Sequence, residues 1–173
     1  MPDLAGRSLT FLLGGARSGK SLHAEKLATA LPAPWTYIAT AQAYDDEMVE
    51  RIAHHRARRG DGWLTVDAPL DLAGTLGSVP DGQPVLVDCL TLWLSNHMLA
   101  EHDLDGLCAE LGQVLSAPRG PWFVVSNEVG MGIVPDNALG RRFRDAQGRL
   151  NQRVAAAADR VFFLVAGIPM QVK

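Results

Sequence analysis

Gly14, Gly15, Ala16, Arg17, Ser18, Gly19, Lys20 and Ser21 have the types and spacing of a phosphate cradle, fitting the pattern G-x-x-x-x-G-K-[ST]. An apolar run, Ser8–Leu13, precedes them, and a segment able to form a helix follows. In that setting successive backbone N–H groups and a helix N-terminus can surround phosphate oxygens, and the glycines let the chain curl tightly. Lys20 would reach the β- and γ-phosphates of a nucleoside triphosphate. The Ser21 hydroxyl would coordinate Mg²⁺.

Such a loop needs a second acid, expected on a neighbouring strand, to hold the metal's water shell. Val85, Leu86, Val87 and Asp88 supply three apolar residues and then a carboxylate at the C-terminal end of a strand, the edge where open α/β sheets bind ligands. Asp88 could equally cap the helix that follows. The guanine-reading N-K-x-D pattern is absent, so base preference cannot be read from that device.

A second chemical candidate is the segment from Asp45 to Arg59, DDEMVERIAHHRARR. As a helix it carries acids in its first turn and arginines in its last, matching the macrodipole. Met48, Ile52 and His55 share an apolar stripe, whereas His54 shares a side with Glu47, Arg51 and Arg58. Neighbouring positive charge disfavours imidazolium, which keeps a ring nitrogen neutral and nucleophilic near neutral pH. The arginines could bind phosphate and offset charge in the transition state. The same pattern also describes an ordinary solvated helix face.

The elements that must position these residues alternate short apolar runs with longer polar-periodic segments, the mark of β-α units around a mostly parallel sheet. Strands are expected at Ser8–Leu13, Trp35–Ala39, Trp63–Val66, Val85–Val87, Trp122–Ser126, Val161–Val165 and Met170–Val172. Helices are expected at Lys20–Ala30, Asp45–Arg59, Thr91–Leu99 and Asp105–Leu115. A long one carries Leu139, Phe143, Ala146, Leu150, Val154 and Ala157 at helical spacing. Asp67–Pro84 reads as loop. With no repeats, linkers or low-complexity tracts, one domain spanning residues 1–173 is expected.

Composition excludes several classes. Hydrophobic residues make up 47% and charged residues 20% of 173 positions, an ordinary globular balance. A net charge of −3 speaks against a nucleic-acid surface. Cys89 and Cys108 lack metal-ligand spacing and fit a reduced, cytoplasmic chain. No apolar stretch approaches the ~20 residues of a membrane span.

Taken in order, GGARSGKS at Gly14–Ser21, YIAT at Tyr37–Thr40, DDEMVERIAHH at Asp45–His55, NEVGMGIVP at Asn127–Pro135 and FRDAQGRLNQRVAAAAD at Phe143–Asp159 resemble one family. It is the bifunctional adenosylcobinamide kinase/adenosylcobinamide-phosphate guanylyltransferases of cobalamin biosynthesis. The resemblance runs from about Leu9 to Lys173 and implies a single-domain, RecA-like P-loop NTPase fold, α/β with a mostly parallel sheet flanked by helices. It implies two reactions: ATP or GTP phosphorylates the aminopropanol hydroxyl of adenosylcobinamide, and GMP then passes from GTP, through a guanylyl-histidine, to adenosylcobinamide phosphate.

By the same resemblance His54 is the nucleophile, with Lys20 the other catalytic residue. Nucleotide contacts map onto Gly14–Ser21, Ile38, Ala39, Thr40, His55, Arg56, Ala57, Arg58, Asp67 and Asp88, and the Mg²⁺ ligands onto Ser21 and Asp88. The resemblance further implies a homotrimer acting on a small corrinoid substrate. The strand-end acid is Asp or Glu in this family, and Asp88 falls within that range. The loop Asp67–Pro84 departs from the pattern, so the corrinoid contacts stay open.

Asn127 and Glu128 directly follow an apolar strand and are expected at the nucleotide edge, although an ordinary Asn-capped β-α turn would look the same. Two rivals compete with the family's reading. A plain P-loop kinase would make no covalent intermediate, and a RecA-like assembly ATPase or nucleotide switch would have no phosphoryl acceptor.

Overall fold

The computed structural model describes residues 6–42 and 60–173. In chain order the described elements are β1 (Ser8–Gly14), α1 (Lys20–Thr29), β2 (Trp35–Ala39), β3 (Trp63–Asp67), α2 (Leu72–Ser78), β4 (Val85–Asp88), α3 (Leu90–Leu99), α4 (Leu104–Leu115), β5 (Pro121–Asn127), α5 (Ala138–Ala157), β6 (Arg160–Val165) and β7 (Ile168–Gln171). The strands form one sheet in the order β3-β2-β4-β5-β1-β6-β7. Every pairing is parallel except β6 with β7. This is the mostly parallel, helix-flanked sheet that the alternating pattern predicts.

The central strands are mostly apolar because helices cover both faces. Along β5, Trp122 and Val124 point into one core with α2, α3, α4 and α5, while Phe123 and Val125 point into a second core with Ala24 and Ala28 of α1. That alternation assigns a face to each residue at the strand tips. Ser126 falls on the α3/α5 face and Asn127 on the α1 face, where the helix following Gly19 begins.

Two expectations need correction. The stretch Asp67–Pro84 is not all loop, for it holds α2, whose N-cap Asp71 accepts from the Gly74 N–H at 2.9 Å. Seven residues containing Gly74 and Gly77 carry little helical propensity, so burial of Leu72 and Leu76, not propensity, holds this helix. The strand ending in Asp88 does not neighbour β1 either, because β5 is inserted between them. Sequence order carries no trace of that insertion, since which strands become neighbours is a long-range choice.

Candidate active site

The phosphate loop leaves the C-terminal end of β1 at Gly14 and enters α1 at Lys20. A Cβ on Gly14 would lie 2.6 Å from the Leu164 carbonyl oxygen and 2.8 Å from Ser18 Oγ, so packing alone demands glycine there. Gly19, the N-cap of α1, adopts φ 95°, a left-handed conformation that a side chain would strain. The loop is also braced from below, since the Gly167 N–H donates to the Ser18 carbonyl at 2.9 Å.

Lys20 is 6% exposed, and its Nζ donates to the Gly15 carbonyl and to Ser18 Oγ. The ammonium therefore folds back over the loop it belongs to. Burial pulls its pKa down, opposed by Cys89 and Asp88 nearby. An arriving phosphate would give this desolvated cation a direct ion pair, which no described residue provides.

Asp88 ends β4 in register with Ala39 of β2, and Tyr37 Oη donates to its Oδ2 at 3.0 Å. The N-cap of α3 is Cys89, with no side-chain capping bond, so the helix-cap alternative for Asp88 falls away. Burial, then Asp88, pushes the Cys89 thiol up to about 11. Thr40 is fully buried; its hydroxyl donates to the Cys89 carbonyl and accepts from the Cys89 N–H, tying the ends of β2 and β4 together.

Mg²⁺ needs hard oxygen ligands, typically one or two carboxylates beside substrate phosphates and water. The Asp88 carboxylate and the Ser21 hydroxyl are donors of that kind. Among the described residues no cluster of three or more His, Cys, Asp or Glu could hold a metal without such help.

Gly14–Ser21, Thr40 and Asp88 thus gather at one edge of the sheet, and Asp88 lies close enough to influence Lys20. Ile38 is fully buried and turned into the α2–α5 core, so its side chain is packing. Ala39 stands level with both Asp67 and Asp88 in the strand register. Asp67 ends the outer strand β3, four strand spacings from β1, or about 19 Å at ~4.8 Å each. His54, His55, Arg56, Ala57 and Arg58 lie outside the described residues.

The structure adds residues that the sequence reading did not single out. Ser126 Oγ donates to Asn151 Oδ1 at 2.8 Å, and Gln147 Nε2 donates to both atoms, at 3.0 and 2.9 Å. Asn151 Nδ2 donates to the Asn127 carbonyl at 3.1 Å, and the Asn127 N–H donates to Thr91 Oγ1 at 2.8 Å. The tip of β5 is thereby pinned through both sides of one residue. A signal existed in the sequence: two amides, Gln147 and Asn151, sit on the apolar stripe of the long helix. Asn137, not Asn127, is the N-cap of α5. A cavity of about 580 Å³ lies elsewhere, lined by residues such as Leu70, Trp93, His97 and His102, and its lining holds none of the predicted site residues.

Phosphate loop, strand-end acid and parallel sheet define a P-loop nucleotide-binding protein. Within that class the chain belongs to the cobinamide kinase / cobinamide phosphate guanyltransferase family, whose model matches residues 10–172. It is 50% identical to the bifunctional adenosylcobalamin biosynthesis protein CobP of Pseudomonas aeruginosa, over 94% of this chain and 95% of that protein. It is 43% identical to the CobU protein of the same description from Salmonella typhimurium, over 95% and 99%. Among solved structures it resembles the flagellar accessory protein FlaH of Methanocaldococcus jannaschii, with a TM-score of 0.55 at 12% identity over 98% of this chain and 79% of that one. It also resembles the type III secretion ATPase EscN of enteropathogenic E. coli, with a TM-score of 0.56 at 12% identity over 94% and 43%. At such identity these two speak for the fold alone. Among the described residues no helix is long and apolar enough to cross a membrane.

Proposed function

We propose that this chain performs both family reactions at the edge formed by the phosphate loop and Asp88. The first transfers the γ-phosphoryl group of ATP or GTP to the aminopropanol hydroxyl of adenosylcobinamide. In the second His54 attacks the α-phosphorus of GTP, pyrophosphate leaves, and the guanylyl-histidine yields its GMP to adenosylcobinamide phosphate, giving adenosylcobinamide-GDP. The observation that carries this reading is the family match along residues 10–172, combined with a phosphate-loop pattern whose lysine is buried and folded over the loop.

Each residue has a physical task. The N–H groups of the Gly14–Ser21 loop and the start of α1 bind the phosphates. Lys20 offsets charge on the transferring group, and Asp88, oriented by Tyr37, with Ser21 offers oxygen ligands to Mg²⁺. Bound Mg²⁺ would neutralise phosphate charge. For the nucleotide contacts we assign Ala39, His55–Arg58 and Asp67, with the buried Thr40 bracing the strand ends beside them, and we place the enzyme in the cytoplasm as a homotrimer of one-domain subunits.

The test is incubation with Mg²⁺ and GTP labelled at the α- or the γ-phosphate. Acid-labile protein label from the α-phosphate only, absent in His54→Ala, is the expected result. Absence of protein label despite intact nucleotide binding would reduce the chain to a plain P-loop kinase, and label lost only in His55→Ala would move the nucleophile.

A further inference from the structure

The proposed cycle contains three phosphoryl transfers, and only one has an acceptor that must lose a proton. In the guanylylation step a neutral imidazole nitrogen attacks, and in the final transfer the acceptor is already a phosphate anion. The kinase step alone starts from an aliphatic hydroxyl, so it alone calls for a carboxylate base beside the γ-phosphate.

Three carboxylates among the described residues end or directly follow a parallel strand: Asp67, Asp88 and Glu128. Asp67 stands on the outer strand, four positions from β1. Asp88 holds the Tyr37 hydroxyl and is committed to the metal side. Glu128 follows β5, the strand inserted directly beside β1. Gly14 and Asn127 are register partners, and the Glu128 N–H donates to the Gly14 carbonyl at 3.0 Å. The carboxylate-bearing residue is therefore stitched to the first glycine of the phosphate loop.

Its anchoring is more elaborate than a turn needs. Thr91 holds the Asn127 N–H, Asn151 holds the Asn127 carbonyl, and Asn151 is in turn fixed by Ser126 and Gln147. Ser126, Gln147, Asn151 and Thr91 are all buried. On the side chain itself, Oε1 accepts from the Gly130 N–H at 2.6 Å, whereas Oε2 takes no hydrogen bond from the described residues. One oxygen fixes the carboxylate and the other is left to do chemistry.

We propose that Glu128 is the base of the kinase step, with Oε2 receiving the proton of the acceptor hydroxyl. As the acceptor oxygen bonds to the γ-phosphorus, the bond from that phosphorus to the β–γ bridging oxygen breaks. The nucleoside diphosphate leaves with the electron pair, and the proton on Glu128 passes to water after release. This rests on the two-reaction reading given above and adds a residue which that reading does not use.

The experiment measures two labels in one protein. Glu128→Gln keeps an oxygen for Gly130 and loses the base. Transfer from γ-³²P-GTP to adenosylcobinamide is expected to fall by about 10²–10⁴-fold in kcat, with KM for both substrates changed by less than about fivefold. Protein label from α-³²P-GTP should persist, which reports a folded, GTP-binding chain. A kinase rate within about threefold of the parent overturns the assignment while leaving the functional reading intact. If the parent protein transfers no γ-label to adenosylcobinamide from either GTP or ATP, the functional reading fails and the assignment falls with it. Should Glu128→Gln lose the α-label too, Glu128→Ala decides. Formate added to that variant should raise its kinase rate at least about tenfold, and no rise overturns the proposal.

Discussion

Gln147 and Asn151 lie one turn apart on α5, both buried and both in the cluster that pins β5, yet the structure assigns them very different costs on removal. Asn151 makes three bonds: Nδ2 to the Asn127 carbonyl, and Oδ1 from Ser126 and from Gln147. Because Nδ2 must face a carbonyl, Oδ1 must face Gln147, and Gln147 must then present its NH₂. Its Oε1 is left as the buried side-chain atom without a partner among the described residues. Asn151→Leu strands one Gln147 proton and the Asn127 carbonyl and leaves the Ser126 hydroxyl only its longer contact to Thr91 at 3.4 Å, at ~1–3 kcal/mol for each fully buried group left unpaired. Asn127 is only half-buried, and leucine regains a few tenths in helix propensity, so about 3 kcal/mol is the expected net loss.

Gln147→Met removes two donors, but Ser126 Oγ and Asn151 Oδ1 keep their bond to each other, and the orphaned oxygen disappears as well. The two effects nearly cancel, leaving a change within about 1 kcal/mol of zero. Urea unfolding reads the difference directly. With a slope near 2 kcal/mol per molar, Asn151→Leu should lower the midpoint by about 1.5 M and Gln147→Met by less than about 0.5 M. Equal losses, or a Gln147→Met loss above about 2 kcal/mol, would refute the reasoning, because they would mean that Oε1 is hydrogen-bonded in solution.

Burial raises both cysteine thiols, Cys89 to about 11. At pH 8 only about one Cys89 in a thousand is then thiolate, so the native protein should release almost no chromophore from an aromatic disulfide reagent, while the guanidinium-unfolded chain releases two equivalents; one fast native equivalent would contradict this. Burial also lowers the His97 pKa, opposed by its bond to the Leu70 carbonyl and reinforced by His102. Since Nε2 donates to that carbonyl, Nδ1 must accept from His102 at 2.8 Å, which requires a neutral His97 ring. Its contribution to stability is whole above the unfolded pKa near 6.5 and is lost as pH falls from there through the depressed folded value. The urea midpoint should drop less between pH 7.5 and 5.5 in His97→Gln than in the parent; equal drops would remove His97 from the account.

Much of the fold was legible because local pattern and tertiary role agree here. The apolar runs at Trp35–Ala39 and Val85–Val87 became strands in place, and Pro32 follows closely on the end of α1. The phosphate loop was legible because its glycines and lysine answer to one local geometry. What escaped has a physical cause in each instance. The helix α2 depends on the burial of Leu72 and Leu76 and carries too many glycines to announce itself. The place of β5 depends on strand order, a long-range choice that no window of sequence contains. The role of Tyr37 depends on a carboxylate from a different strand.

That last group explains how a sheet shared with export ATPases can carry different chemistry. The platform settles where phosphates go, because strand ends, backbone N–H groups and the start of α1 are common to the fold. What differs is which side chains stand at the tips and how rigidly they are held. In this chain the tip of β5 is fixed from the α3/α5 face, opposite the α1 face that carries the nucleotide edge, by amides and hydroxyls buried among apolar residues. A substitution at Asn151 would therefore reach Glu128 without touching any ligand, through the Asn127 peptide between them. It should alter kcat of the kinase step while leaving nucleotide affinity nearly unchanged, whereas a substitution at Lys20 should alter both.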